Sequence, residues 1–184
     1  MLTLHTRTEH AEAISGQLVL PYDLREKSRQ RATLTSGEDV AVYTVRGTVL
    51  RDGDLFRGDD GRVVQIVAAQ EPTYRVECRT PRDLLRCAFH LGNRHTQAQV
   101  GVSPGNGDGQ AEHGFLRIRQ DSVLKEMLEG LGASVFEEIA AFEPESGAYH
   151  GGGHAHAGDD DGHPRNPLAP IPLRQKIHRP SDPK

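Results

Sequence analysis

The sequence predicts an α+β protein in three parts: a small all-β domain, a domain of alternating strands and helices, and a tail with no core. Three observations lead there. Short Val-, Leu- and Thr-rich runs recur between Xaa-Gly turns from about Gln17 to Ala69. After Glu71-Pro72, two amphipathic helical stretches are interleaved with four strand-like ones. Beyond Phe142 the apolar periodicity stops, and residues 144–184 carry seven of the eleven prolines. The parts divide as residues 1–72, 73–143 and 144–184.

In the first part the strand candidates are "QLVL", "ATLT", "VAVYTV", "GTVL", "DLF" and "RVVQIVAA". Ser36-Gly37, Arg46-Gly47, Asp52-Gly53 and Asp60-Gly61 supply the turns between them. Strands this short bury little alone, so a small barrel or two packed sheets is expected. The basic run Arg25, Lys27, Arg29, Arg31 reads first as a solvated edge and second as a partner-binding patch.

The second part opens with a strand, "YRVECRT". Thr80-Pro81-Arg82-Asp83 then starts a helix: Thr80 can cap it, Pro81 suits its first position, and Asp83 favours its positive end. Leu84, Ala88 and Leu91 share one face, and Gly92 is expected to take the left-handed turn that closes the helix. "TQAQVGV" is a strand and "SPGNGDGQAEHG" a loop, without the Gly-Lys-Ser/Thr ending of a phosphate cradle. A strand "FLRIRQ", a helix "DSVLKEMLEGLG" closed at Gly132, and a strand "SVFEEIAAF" complete a βαββαβ order. That is the ferredoxin-like pattern, one four-stranded antiparallel sheet with both helices on one face. The last part, rich in His, Gly and Pro, has too little apolar surface to offset its ordering entropy, and a disordered tail is expected.

Composition narrows the function. The formal net charge of −4 argues against nucleic-acid binding, which needs a basic face. "MLTLHTRTEHAEAISG" is broken by charge too often for a signal peptide, and no run has the length of a membrane span, so a cytoplasmic protein is expected. Cys78 and Cys87, nine apart, match no zinc motif and read as plain core thiols.

The histidines carry the chemistry. His90 and His95 are five apart, which on a continuous helix separates them by about 140°. They are therefore not a chelating pair: His90 suits the helix end, where it can bond terminal carbonyls or favour the negative dipole end, and His95 emerges after the turn, where spacing alone reads it as an ordinary surface histidine. In the tail, His150, His154, His156 and His163 stand among Asp159, Asp160 and Asp161. Imidazole suits Ni2+, Cu2+ and Zn2+, and a flexible chain can wrap any of them. No His-Glu-x-x-His, paired-carboxylate or serine-elbow constellation is present, so no enzyme is expected.

"RGTVLRDGDLF", the helix running into "FHLGNRH", and "DSVLKEMLEGLG" together resemble the UreE type of urease accessory nickel metallochaperone over nearly all of residues 1–142. The resemblance implies an N-terminal domain of partner- or peptide-binding type and a metal domain that forms a homodimer. It implies that His95 binds Ni2+ jointly with its twofold mate, helped here by the tail histidines. Members with an auxiliary site have histidines flanking an Asp at the second helix; here Gln120 and Ser122 flank Asp121, so that site is expected to be absent. The implied partners are the urease accessory GTPase and the urease apoprotein complex. A nickel or zinc storage and buffering protein is the alternative from another functional class.

Overall fold

The computed structural model describes residues 1–104 and 112–146. The N-terminal half contains β1 (Leu2–Thr8), β2 (Gly16–Leu20), a short helix α1 (Tyr22–Arg25), β3 (Arg29–Thr33), β4 (Asp39–Tyr43), β5 (Leu55–Gly58) and β6 (Val63–Ala68). All six strands form one mixed sheet, in the order β2-β6-β5-β1-β4-β3. The sheet curls until the Thr35 N–H, just past β3, donates to the Gln17 carbonyl in β2 at 2.9 Å. A single curled sheet is thus adopted rather than two packed ones. Its concave side is filled by Leu4, Leu18, Val40, Val42, Val64 and Ile66, all fully buried, with Leu50 and Phe56 beside them. The four expected turns are present, each with its glycine at positive φ.

Two elements differ from expectation. β1 begins at Leu2, well before the first expected strand, and lies centrally between β5 and β4. Only Leu2 and Leu4 are buried on it, while His5, Thr6 and Arg7 are exposed. Two inward leucines are too short a pattern to stand out; backbone pairing on both sides holds the strand. Conversely, "GTVL" is not a strand. Leu50 still reaches the core, and its N–H donates to the Arg25 carbonyl at 2.9 Å.

The second half contains β7 (Gln70–Glu77), α2 (Pro81–Asn93), β8 (Gln99–Ser103), β9 (His113–Arg119), α3 (Ser122–Gly130) and β10 (Ser134–Ala141). Its sheet is antiparallel throughout, in the order β10-β7-β9-β8. Tyr74 lies opposite Ile118 and Val76 opposite Leu116, so these four share one face. Cys87 and Leu91 from α2 and Leu128 from α3 pack on that same face, placing both helices there. Cys87 is indeed a core thiol, free and fully buried. It lies 3.8 Å, Sγ to Sγ, from half-buried Cys78, a proximity their spacing did not announce.

The basic run does not behave as one feature. Arg25 ends α1, turns inward and is fully buried, whereas Lys27, Arg29 and Arg31 remain exposed. The Arg25 guanidinium pairs with Glu143 and donates to the carbonyls of Phe142 and Leu50. Phe142 is itself fully buried and meets the Tyr22 ring edge-to-face at 5.4 Å. Arg51 holds the same segment, donating to Glu143, to the Pro144 carbonyl and to Ser146. The chain after β10 is therefore a strap that binds the two halves together.

Candidate metal centre

The centre is built on the end of α2. Thr80 caps the helix start, accepting from the Asp83 N–H at 3.2 Å, with Pro81 in the first turn, as expected. At the other end Leu91 is buried and anchors the last turn. The Thr96 N–H returns to the Leu91 carbonyl at 3.1 Å and the His95 N–H to the Gly92 carbonyl at 2.9 Å. These nested bonds form a Schellman closure, whose geometry requires the residue after the cap to have positive φ. That residue is His95, at φ 54°. Gly92, expected to make this turn, stays within the helix. The anchor decides the matter: with Leu91 in the core, the left-handed position falls four residues later.

A non-glycine residue there costs about 1 kcal/mol relative to glycine, and glycine is the usual occupant. His95 thus stands at a mildly strained backbone position with its imidazole exposed. Residues held in such conformations concentrate at functional sites. His90 is half-buried one turn earlier, its ring edge-to-face with Phe89 at 5.5 Å. The helix-end carbonyls expected to engage His90 are taken by the backbone N–H groups of residues 94–96 instead.

Around His95 lies an open groove lined by Glu26, Arg94, Gln97, Arg119, Gln120 and Asp121. Gln97 donates to Glu26 at 2.9 Å and accepts from Arg119 at 3.2 Å. Asp121 accepts from the Leu124 N–H at 2.9 Å and so caps α3. The groove therefore joins the end of one helix to the start of the other, with Glu26 contributed from the N-terminal half. Sequence spacing brought neither Glu26 nor Asp121 to His95, because the three residues come from separate elements. The strap ends beside this groove: the Glu145 N–H donates to the Ala98 carbonyl at 2.9 Å, three residues from His95.

Among the described residues, no three of His, Cys, Asp and Glu are grouped so as to hold an ion. His113, at the start of β9, lies 3.7 Å from Glu77 instead. His150, His154, His156 and His163 lie outside the described residues, as does most of the glycine-rich loop. What the groove offers is one exposed imidazole on a rigid turn, with carboxylates and amides around it.

Both halves match family models: residues 3–69 the UreE urease accessory protein N-terminal domain, and residues 71–166 its C-terminal domain. The chain belongs to the UreE urease accessory protein family. It is 71% identical over 182 residues to the urease accessory protein UreE of Janthinobacterium sp. (strain Marseille), covering 99% of this chain and 98% of that one. It is 64% identical to the protein of the same name from Nitrosospira multiformis, over 99% of this chain and 98% of that one. The Ectopseudomonas mendocina relative is 43% identical over 88% of this chain and 92% of its own. The family is one of accessory proteins to urease. Among the described residues no helix is long and apolar enough to cross a membrane.

Proposed function

We propose that this chain is a cytoplasmic nickel metallochaperone, not an enzyme, that carries Ni2+ for urease active-site assembly. The observation that carries the proposal is His95: an exposed imidazole at the left-handed position of a rigid helix closure. One imidazole is a poor site, but a twofold axis beside it doubles the donor without any further residue. Apolar surface supports such an axis. Leu85 and Phe89, one turn apart on α2, and Val100 and Val102 on β8 are all exposed. Exposed apolar surface of this kind is what a homodimer interface covers. The strand order with both helices on one face supports reading residues 73–143 as a ferredoxin-like dimerisation and metal domain. Residues 1–72 would then be the partner-binding half, for the urease accessory GTPase and the urease apoprotein complex.

The tail histidines His150, His154, His156 and His163 supply further, weaker donors. Their root supports this, because the strap fixes Ser146 close to the His95 groove and so raises the local concentration of any ion the tail holds. Zn2+ and Cu2+ would compete for the same imidazoles. Calorimetric titration with Ni2+ tests the reading. His95→Ala should remove the tightest site and keep the weaker ones, while loss of the tail should lower stoichiometry and spare the tightest. A His95→Ala variant that kept its tightest site would overturn the assignment.

A further inference from the structure

Three of the four members of the basic run remain on the surface, and β-pairing arranges them. In the β3–β4 ladder Arg31 lies opposite Ala41 and Arg29 opposite Tyr43. One more bond, from the Thr44 N–H to the Ser28 carbonyl at 2.8 Å, carries the pairing one residue further, towards Lys27 and Val45. Alternate residues of a strand share a face. The outer face therefore bears Arg29 and Arg31 alongside Tyr43 and Ala41, with Lys27 and Val45 just past the end where the ladder stops. Of the apolar residues, Val45 is 81% and Tyr43 46% exposed, whereas Ala41 is buried. Among the described residues none of the three cations is in an ion pair, whereas Arg7, Arg25, Arg51, Arg62, Arg75 and Arg117 all are. Asp39 shares a shallow groove with Arg31 at one end of the ladder, where it accepts from Thr33 at 2.9 Å rather than pairing with the cation.

We propose that this strip is a docking surface for an acidic segment of a partner protein, one in which carboxylates are interleaved with apolar side chains. The inference rests on reading the N-terminal half as partner-binding, and it names the surface and the chemistry. Charge complementarity selects the occupant, since the strip is cationic on a chain whose formal net charge is −4. That same net charge disfavours an extended polyanion such as RNA, which would overrun three cations onto repulsive surface. Arg and Tyr are also the side chains that most often anchor protein interfaces.

The test uses a fluorescein-labelled peptide of alternating Glu and Val, followed by anisotropy with the full chain. Arg29→Glu combined with Arg31→Glu replaces two attractions by two repulsions and should weaken binding about tenfold. Tyr43→Ala should weaken it as well, and the Ni2+ titration should be unchanged in both variants. If the double reversal misfolds by circular dichroism, Arg29→Gln with Arg31→Gln keeps the comparison valid. Equal affinity in the charge variants would overturn the proposal, as would an RNA oligonucleotide that displaces the peptide. So would tighter peptide binding on converting Asp159, Asp160 and Asp161 to Asn, because the chain's own tail would then be the occupant. Loss of Ni2+ binding with intact peptide binding would count against the metal reading alone.

Discussion

The backbone at His95 makes a prediction that an ordinary surface histidine would not. Because φ is 54° there, removing Cβ relieves strain. His95→Gly should therefore raise stability by about 1 kcal/mol while abolishing the tightest Ni2+ site. His95→Ala should lose the same site without the gain, since Ala keeps the Cβ. Denaturant midpoints of the two variants check this, and a glycine variant no more stable than wild type would contradict the left-handed assignment. A second residue-scale expectation concerns alkali. Burial, helped by the neighbouring thiol, pushes the Cys78 thiol up to about 12 from its ordinary value of 9.0. Cys87 is raised too, again chiefly by burial. Both raised values belong to the folded state, so their stabilising contribution is complete below the unfolded thiol range. It is lost as pH rises from about 9 through about 12. Melting temperatures over this range should fall less steeply in a Cys78→Ala, Cys87→Ala variant than in wild type.

Among the elements, the strap after β10 and the short helix α1 depend on one another. Arg25 is buried at the end of α1, and Glu143 is the carboxylate that compensates it. Deleting that partner leaves a cation in a low-dielectric seam, so Glu143→Ala should cost about 3 kcal/mol, at the low end for a broken buried pair. Phe142→Ala removes a fully buried ring from the same seam and should cost at least as much, about 3 kcal/mol or more. Arg25→Met should be milder than Glu143→Ala, because it leaves no uncompensated charge. Thermal unfolding of the three variants gives the order; Arg25→Met as the most destabilised would refute this account of the seam. By the same reasoning, a chain ended after Ala141 should be markedly less stable than one ended after Ser146.

For the whole molecule, the proposed homodimer and metal site predict a linked behaviour. If the His95 imidazoles meet across a twofold axis, metal binding and association reinforce one another. Ni2+ should then shift the monomer–dimer balance towards dimer in sedimentation experiments, and His95→Ala should remove that shift. Placing charge on the exposed apolar surface, as in Phe89→Asp, should weaken the dimer and the tightest metal site together. If Phe89→Asp yielded a monomer with unchanged tight binding, the shared site would be excluded. Acidification should release the metal from both sets of histidines, because imidazole binds metal in its neutral form.

Much of this molecule was legible in local signals. Thr80-Pro81 and Asp121 mark helix starts through capping chemistry that involves only neighbouring residues. The four Xaa-Gly turns follow from φ, and the periodicity of Leu84, Ala88 and Leu91 follows from helix geometry. The helix closure, by contrast, was expected at Gly92 and falls at His95 itself, because Leu91 in the core fixes where the left-handed residue comes. What the chain order could not express is anything decided by distant partners. β1 owes its place to backbone pairing with β4 and β5 rather than to its own weak pattern. Arg25 and Arg29 are four residues apart in one basic run, but Arg25 is withdrawn because Glu143 and Phe142, more than a hundred residues away, complete its hydrogen bonds. Cys78 and Cys87 meet because the segment leaving β7 packs against α2, not because of their spacing. Capping, turns and periodicity are properties of a few consecutive residues, so the sequence by itself determined them. The fate of a charge or a thiol depends on which solvent it is taken from and what replaces it, and only the packed tertiary structure decides that.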